Sequence, residues 1–205
     1  MTLKLIKIEL GPWSMNAYGL ICEETRVSAL IDPGADAQKA LSFLQETSIE
    51  KILITHGHAD HVGALQEVKA ASGAPVYLHP ADATKFDLPY DTALTDGEVI
   101  KIGQHAVRAI HVRGHTPGLV CFDLGDGRII VGDALFVGGP GKTWAVEDFA
   151  TTMENMQKII FAWPDETEFF PGHGPSGTIG VERSAYEAFA ARSWPADLFG
   201  DVTWK

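Results

Sequence analysis

The segment Ile52-Leu53-Ile54-Thr55-His56-Gly57-His58-Ala59-Asp60-His61 joins an apolar run to a cluster of imidazole and carboxylate side chains. The apolar run predicts a buried strand. Buried imidazoles need a hydrogen-bond partner or a cation, and open α/β sheets place their sites just past the carboxyl ends of strands. In an extended segment, side chains two apart share a face, which brings His56, His58 and Asp60 together. The same geometry turns His61 away. The alternative is an exposed polar loop that is rich in histidine.

Strand-like and helix-like segments alternate along the rest of the chain. Predicted strands cover residues 3–10, 18–22, 27–31, 51–55, 75–78, 99–102, 105–112, 119–124, 128–131 and 167–170. Predicted helices cover residues 36–46, 61–71, 148–162 and 181–191. Adjacent strands indicate hairpins and the interspersed helices indicate outer layers, which predicts an α/β sandwich with mixed β-sheets. The 205 residues suffice for one sizeable core, so we expect a single domain over residues 1–205.

The composition is that of an acidic globular protein. The net charge is −11, from 16 basic and 27 acidic residues, and no basic stripe is present. We therefore expect neither nucleic acid nor an anionic membrane surface as a partner. The N-terminal residues lack the apolar core of a signal peptide, and no apolar stretch could span a bilayer. Cys22 and Cys121 lie in apolar strand-like runs, which indicates buried free thiols and a reducing cytoplasm.

Three further metal-type ligands follow other predicted strands, each beside a glycine. They are His115, Asp133 and His173. Glycine lets the backbone turn sharply and approach a site closely. With the first cluster they make seven candidate ligands, too many for one tetrahedral ion but suitable for two ions that share a carboxylate. Imidazole and carboxylate together suit zinc, and also iron, manganese or nickel.

The other histidines receive different interpretations. We interpret His79 and His105 as structural or surface residues. His111 lies four residues before His115 and is either a support for that ligand or structural. The segment Gly11–Met15 joins the first two strands, and its Trp13 either forms an apolar wall over the site or packs on the core.

At the seven ligands the chain resembles the metallo-β-lactamase superfamily. The run His-Gly-His-Ala-Asp-His at 56–61, followed in order by His115, Asp133 and His173, is similar to its metal motif. The resemblance covers nearly the full length, and it implies a four-layered αββα sandwich with a dinuclear site on one edge. It further implies one ion held by His56, His58 and His115, a second held by Asp60, His61 and His173, and a bridging Asp133.

Within the superfamily, the segment 132–142 most resembles that of the hydroxyacylglutathione hydrolases, or glyoxalase II. In those enzymes a lysine at the position of Lys142 contacts glutathione, and an aromatic residue, usually tyrosine, stands at the position of Trp144. The resemblance thus implies that Lys142 and Trp144 bind substrate. The stretch 174–176, Gly-Pro-Ser, lacks the aromatic residue of that enzyme. The chain ends about where the larger enzyme adds a helical domain, so we expect a short-form relative of that enzyme. The resemblance does not fix which thiol carries the acyl group in its substrate.

The resemblance implies a hydrolase in which a metal-bridging hydroxide attacks an acyl carbon, with Asp60 and Asp133 as catalytic residues. The expected cofactors are two divalent ions, zinc in the first place, with iron or manganese as alternatives. The leading function is thioester hydrolysis. The alternatives are a lactone or β-lactam hydrolase, a mononuclear-iron persulfide dioxygenase of the same fold, and a non-enzymatic metal-binding module. The expected partner is a small-molecule substrate. The aromatic tail, Trp194, Leu198, Phe199 and Trp204, is expected to pack on its own chain or to form a homodimer.

Overall fold

The computed structural model describes residues 3–204, which form two mixed six-stranded sheets packed face to face. The first sheet contains, in order, β1 (Lys4–Leu10), β2 (Met15–Cys22), β3 (Val27–Ile31), β4 (Ser48–Leu53), β5 (Val76–Leu78) and β6 (Thr92–Ala93). The chain continues with β7 (Val99–Ile102), β8 (His105–His111), β9 (Val120–Asp123), β10 (Arg128–Gly132), a short ribbon of β11 (Leu135–Phe136) and β12 (Gly139–Pro140), then β13 (Glu168–Pro171) and β14 (Gly177–Thr178). The second sheet has the order β14-β13-β10-β9-β8-β7. The predicted domain limits include Met1, Thr2 and Lys205, which lie outside the described residues.

Helices cover the outer face of each sheet. They are α1 (Ala37–Ser42), α2 (Ala59–Val62), α3 (Leu65–Ser72), α4 (Pro80–Phe86), α5 (Val146–Lys158) and α6 (Ile179–Ala190), and α5 is followed by a 3-10 turn at Ile160–Ala162. In α5 the buried side chains recur at helical spacing, as Phe149, Thr152 and Met156, and this stripe packs on the second sheet. On the first sheet, α1 and α3 pack through Ala40, Leu65 and Val68.

The alternation of side chains in the strands produces the layers. In β3, Leu30 faces the helices of the first sheet, whereas Ala29 and Ile31 lie between the sheets. In β10, Ile130 lies between the sheets and its neighbours Ile129 and Val131 face α5 and α6. The central strands β3 and β10 are buried on both faces, so their sequences are apolar almost throughout. The outer strands β1 and β7 leave side chains such as Lys4, Glu9 and Lys101 exposed. The predicted four-layered αββα sandwich with mixed β-sheets is confirmed.

Several boundaries differ from the prediction. The helix predicted over 61–71 is two helices, α2 and α3, separated at Gly63, where the chain passes close to Gly34. Helix α4 was not predicted, because residues 80–86 show no long apolar period. Cys22 and Cys121 are buried free thiols, as predicted. Within residues 3–204, none of the helices has the length and apolar character needed to cross a lipid bilayer.

The aromatic tail packs on its own chain. Trp204 is buried, with ring centroids 5.5 Å from Tyr186 and 5.3 Å from Phe189 of α6. Trp194 stacks on Phe189 at 4.9 Å. Phe199 stays exposed. The intramolecular packing accounts for most of the apolar tail, and a homodimer through it stays a prediction.

Candidate metal centre

The seven predicted ligands converge at one edge of the sandwich, and both sheets contribute to them. Four follow β4 of the first sheet and three follow strands of the second sheet. Strands β3 and β4 are parallel, as are β10 and β13, so their carboxyl ends meet at this edge. The ligand atoms form three overlapping groups, each within 4.8 Å, consisting of His56, His58 and His115; of His56, His61 and Asp133; and of Asp60, His61 and His173.

One end of the cluster consists of three imidazoles. His58 Nδ1 lies 3.1 Å from His56 Nε2 and 2.9 Å from His115 Nε2. His115 Nδ1 donates to the carbonyl oxygen of Lys142 at 2.8 Å, so its Nε2 presents a lone pair to the cluster. Such outer hydrogen bonds fix the tautomer of a metal-binding histidine.

The other end of the cluster contains Asp60, His61 and His173. His173 Nε2 lies 3.0 Å from Asp60 Oδ2, and His61 Nε2 lies 3.9 Å from the same oxygen. His61 Nδ1 donates to Asp32 Oδ2 at 2.9 Å, which directs Nε2 inward. The expectation from extended geometry that His61 points away is wrong. Helix α2 begins at Ala59, so the chain turns before His61 and brings its side chain into the cluster.

Asp133 lies between the two ends. Its Oδ1 is 3.3 Å from His61 Nε2, and its Oδ2 is 3.6 Å from His115 Nε2 and 3.9 Å from His173 Nε2. Asp133 Oδ1 and His61 Nε2 are both buried without a hydrogen-bond partner. Burying polar atoms in this way is costly unless another group binds them. The donor set of five imidazoles and two carboxylates fits two divalent metal ions, and the groups of ligand atoms are compatible with the pattern that the family resemblance implies.

The electrostatics of the cluster favour the neutral form of His56, His58 and His115 and the ionised form of the carboxylates. Burial lowers the pKa of His56 well below its ordinary value, and burial followed by the nearby His115 lowers that of His58 to about 4. The hydrogen bond from His173 lowers the pKa of Asp60 to about 2. At His61 burial acts to lower the pKa, but Asp133 and Asp32 outweigh it and raise the value to about 10. The surroundings of His61 therefore favour positive charge at this point, which a cation supplies.

Two buried carboxylates that the sequence analysis missed hold the ligand segments in place. Asp32, in a left-handed conformation with φ 54° directly after β3, accepts from Thr55 N at 2.8 Å and from Thr55 Oγ1 at 2.6 Å, besides His61. The sequence pattern around Asp32 could have marked it as a site residue, because Asp32-Pro33-Gly34 follows an apolar strand and contains a glycine, as the ligand segments do.

Asp82 of α4 joins two ligand loops. Its Oδ2 accepts from Gly57 N at 2.8 Å and Thr116 Oγ1 at 2.8 Å, and its Oδ1 accepts from Gly118 N at 2.6 Å. One carboxylate thus ties the loop of His56 and His58 to the loop of His115. The sequence gives no comparable signal for Asp82, because it lies inside a helix that the apolar pattern does not reveal.

The remaining histidines occupy supporting or peripheral places. His111 Nε2 donates to the carbonyl oxygen of Pro117 at 2.8 Å and its ring stacks on His79 at 4.0 Å. It therefore braces the loop that carries His115 without reaching the cluster. His105 lies near Glu24, at the other end of β8.

A large pocket of about 1240 Å³ opens over the cluster. Its apolar rim includes Trp13, which is 69% exposed and lines the pocket rather than packing on the core. Lys142 and Trp144, the predicted substrate-binding residues, also line it, with Lys142 Nζ 5.0 Å from the Trp144 ring centre. The Lys142 ammonium forms an ion pair with Asp201 at 3.2 Å. No local sequence pattern marks Asp201, which the tail brings to the pocket.

Comparisons with known proteins agree with this geometry. A sequence model described as the metallo-beta-lactamase superfamily matches residues 11–173. The chain is 31% identical over 186 residues to the hydroxyacylglutathione hydrolase GloC of Haemophilus influenzae, covering 80% of this chain and 88% of that protein. It is 37% identical over 147 residues to the hydroxyacylglutathione hydrolase of Anaeromyxobacter dehalogenans, covering 71% of this chain and 56% of that protein.

Among solved structures, the fold is similar to that of TTHA1623 in a di-iron-bound form. The TM-score is 0.72 at 33% identity, and the match covers 87% of this chain and 96% of the other. All seven candidate ligands lie within the range that the family sequence model matches or at its end.

Proposed function

Because this chain belongs to the metallo-β-lactamase superfamily, we propose that it is a dinuclear hydrolase that cleaves small acyl thioesters, of S-acylglutathione or a related carrier, in the cytoplasm. The observation that carries the proposal is the pocket itself. It joins a cluster fit for two metal ions to a cationic and aromatic edge formed by Lys142 and Trp144.

Two divalent ions held by the seven candidate ligands would supply a nucleophilic oxygen near neutral pH and Lewis acidity for the acyl oxygen. The side chains around them position the reactants. Asp60 is held ionised by the hydrogen bond from His173, so it accepts a hydrogen bond from the attacking water and orients it towards the acyl carbon. Asp133 faces both ends of the cluster and fixes their separation.

The nature of the leaving group favours a thioester. Apart from the candidate ligands, the titratable side chains among the described residues lining the pocket are Lys142 and Asp201, and these form an ion pair with each other. An amine leaving group would need a proton donor next to it. A thiol has a pKa of about 8.5, so it departs as the thiolate without that help.

The carrier is the less constrained part of the substrate. Lys142 provides a positive charge for a carboxylate of the carrier, and Trp13 and Trp144 provide apolar contact. Asp201 partly neutralises that charge. Together with the Gly174-Pro175-Ser176 stretch, this predicts weak binding of glutathione thioesters relative to the larger hydroxyacylglutathione hydrolases. Zinc is the metal that we propose first, and iron is the alternative that the di-iron relative supports.

A substrate panel with metal analysis tests the proposal. The purified protein, loaded in turn with zinc, iron and manganese, would be assayed on S-lactoylglutathione, on an uncharged thioester with the same acyl group, and on a lactone, a β-lactam and a phosphodiester. We expect two ions per chain and the highest kcat/KM on a thioester, with a high KM for S-lactoylglutathione.

Two results would contradict parts of the proposal. If the protein hydrolysed lactones or β-lactams but no thioester, the proposed substrate class would be wrong, although the protein would still be a hydrolase. A single bound iron together with oxygen consumption on a persulfide would support the dioxygenase alternative and exclude the dinuclear hydrolase.

A further inference from the structure

A second group of metal-type donors lies at the ends of the strands remote from the candidate metal centre. Cys22 is the last residue of β2, Glu24 lies in the turn that follows, and His105 is the first residue of β8. The opposite end of β2 is Met15, which forms an isolated bridge with His173. Seven residue steps along a strand span about 23 Å. The two groups of donors are therefore separate.

The spacing of the donor atoms suits a single ion. Cys22 Sγ is 3.3 Å from Glu24 Oε2, and His105 Nε2 is 3.5 Å from the same oxygen. All three atoms lie within 4.8 Å of one another. Donors around one tetrahedral zinc ion, with bonds of about 2.0–2.3 Å, are about 3.3–3.6 Å apart. Small side-chain movements bring the three atoms to that geometry.

The turn between β7 and β8 lies close to the Cys22 sulfur. Gly103 has a φ of 57°, and a Cβ atom there would lie 2.6 Å from Cys22 Sγ. The backbone N–H of Gln104 donates to the sulfur at 3.5 Å. The thiolate is the form of cysteine that binds metal. The side chains of Glu24 and His105 are 23% and 19% exposed, so a cation can reach the buried sulfur from solvent.

We propose that Cys22, Glu24 and His105 form a separate structural site for one zinc-like divalent cation, with water as the fourth ligand. Thiolate and imidazole ligands favour zinc over magnesium or calcium. Because β2 belongs to the first sheet and β8 to the second, the bound ion joins the two sheets at the end remote from the pocket. The site does not depend on the proposed hydrolase function.

Cobalt substitution distinguishes this site from the dinuclear cluster. The seven candidate ligands of the cluster supply only nitrogen and oxygen, so a sulfur-to-cobalt charge-transfer band requires a cysteine. The full chain, stripped with a chelator and reloaded with Co²⁺, would be examined in the near ultraviolet. We expect the band in the wild type, its loss in His105→Gln and in Glu24→Gln, and its retention in Cys121→Ala, which removes the other cysteine.

Zinc content gives a second readout. After zinc loading and desalting, His105→Gln should hold one ion fewer per chain than the wild type, with an unchanged kcat on the preferred substrate. Glu24 and His105 lie at the surface, and the melting temperature of each variant checks that it is folded. The proposed site would be refuted if the wild type lacked the charge-transfer band, or if His105→Gln and Glu24→Gln both kept the band at the wild-type intensity. Cys22, Glu24 and His105 would then be only a hydrogen-bonded group. If the thioester assay fails while the band behaves as expected, the structural site stands.

Discussion

Replacing Asp82 by asparagine should weaken both the fold and the metal centre. Asparagine keeps the shape and one acceptor oxygen, which can still serve Gly57 N and Thr116 Oγ1, but its amide nitrogen would face the Gly118 N–H that now donates at 2.6 Å. Leaving that buried donor unsatisfied costs about 1–3 kcal/mol, and loss of the charge at the other two bonds adds roughly 1 kcal/mol. For a chain of this size the sum corresponds to a fall in melting temperature of roughly 5–15 °C.

The two loops that Asp82 holds together carry His56, His58 and His115. Asp82→Asn should therefore lower the affinity for zinc about tenfold. Scanning calorimetry and competition with a chromophoric chelator measure the two effects. Asp197→Asn, on an exposed tail side chain, is the matched control. A normal melting temperature in Asp82→Asn, or a lower one with unchanged zinc affinity, would refute the view that this carboxylate holds the two ligand loops together.

Three further sets of changes test the proposed catalytic residues, the proposed anion-binding subsite at Lys142 and the tail. Asp60→Asn should reduce kcat by orders of magnitude at full metal occupancy, whereas Asp133→Asn should lower occupancy as well; normal turnover in metal-loaded protein would refute either role. Lys142→Ala should raise KM for an anionic thioester more than it lowers kcat, since its backbone carbonyl still accepts from His115. Asp201→Asn should lower the KM for the anionic thioester, because it removes the carboxylate that pairs with Lys142. If Lys142→Ala and Asp201→Asn changed the KM for an uncharged thioester equally, a charge contact with the substrate would be excluded. Removing the residues after Ser193 exposes the surface under Trp204 and should destabilise the chain by roughly 3–5 kcal/mol; an unchanged melting point and light-scattering mass would contradict this packing.

The fold was predictable because the central strands of both sheets are buried on both faces. Continuous apolar runs such as Ile52–Ile54 and Ile129–Val131 identify buried strands directly. Three of the ligands were predictable for the same reason, since His56, Asp133 and His173 each follow such a run beside a glycine. Short elements with little apolar surface, such as α4, leave no pattern in the sequence.

The supports of the site were harder to predict than its ligands. Asp82 and Asp201 act through contacts with segments far away in sequence, 25–36 residues for Asp82 and 59 for the Asp201–Lys142 pair. Nothing in their immediate neighbours marks them. The orientation of His61 was mispredicted because it depends on where a four-residue helix starts, which short-range periodicity does not fix.

Because the candidate ligands come from both sheets, the lifetime of the folded protein in the cell should depend on the availability of metal. Asp133 and His173 extend from the second sheet, whereas His56 and His61 extend from the first. Metal ions bound to ligands from both sheets would link the two sheets, so the sheets could not separate without releasing the ions. In a metal-starved cell the chain would open more often and be degraded sooner, so newly made copies would replace those that had lost their ions.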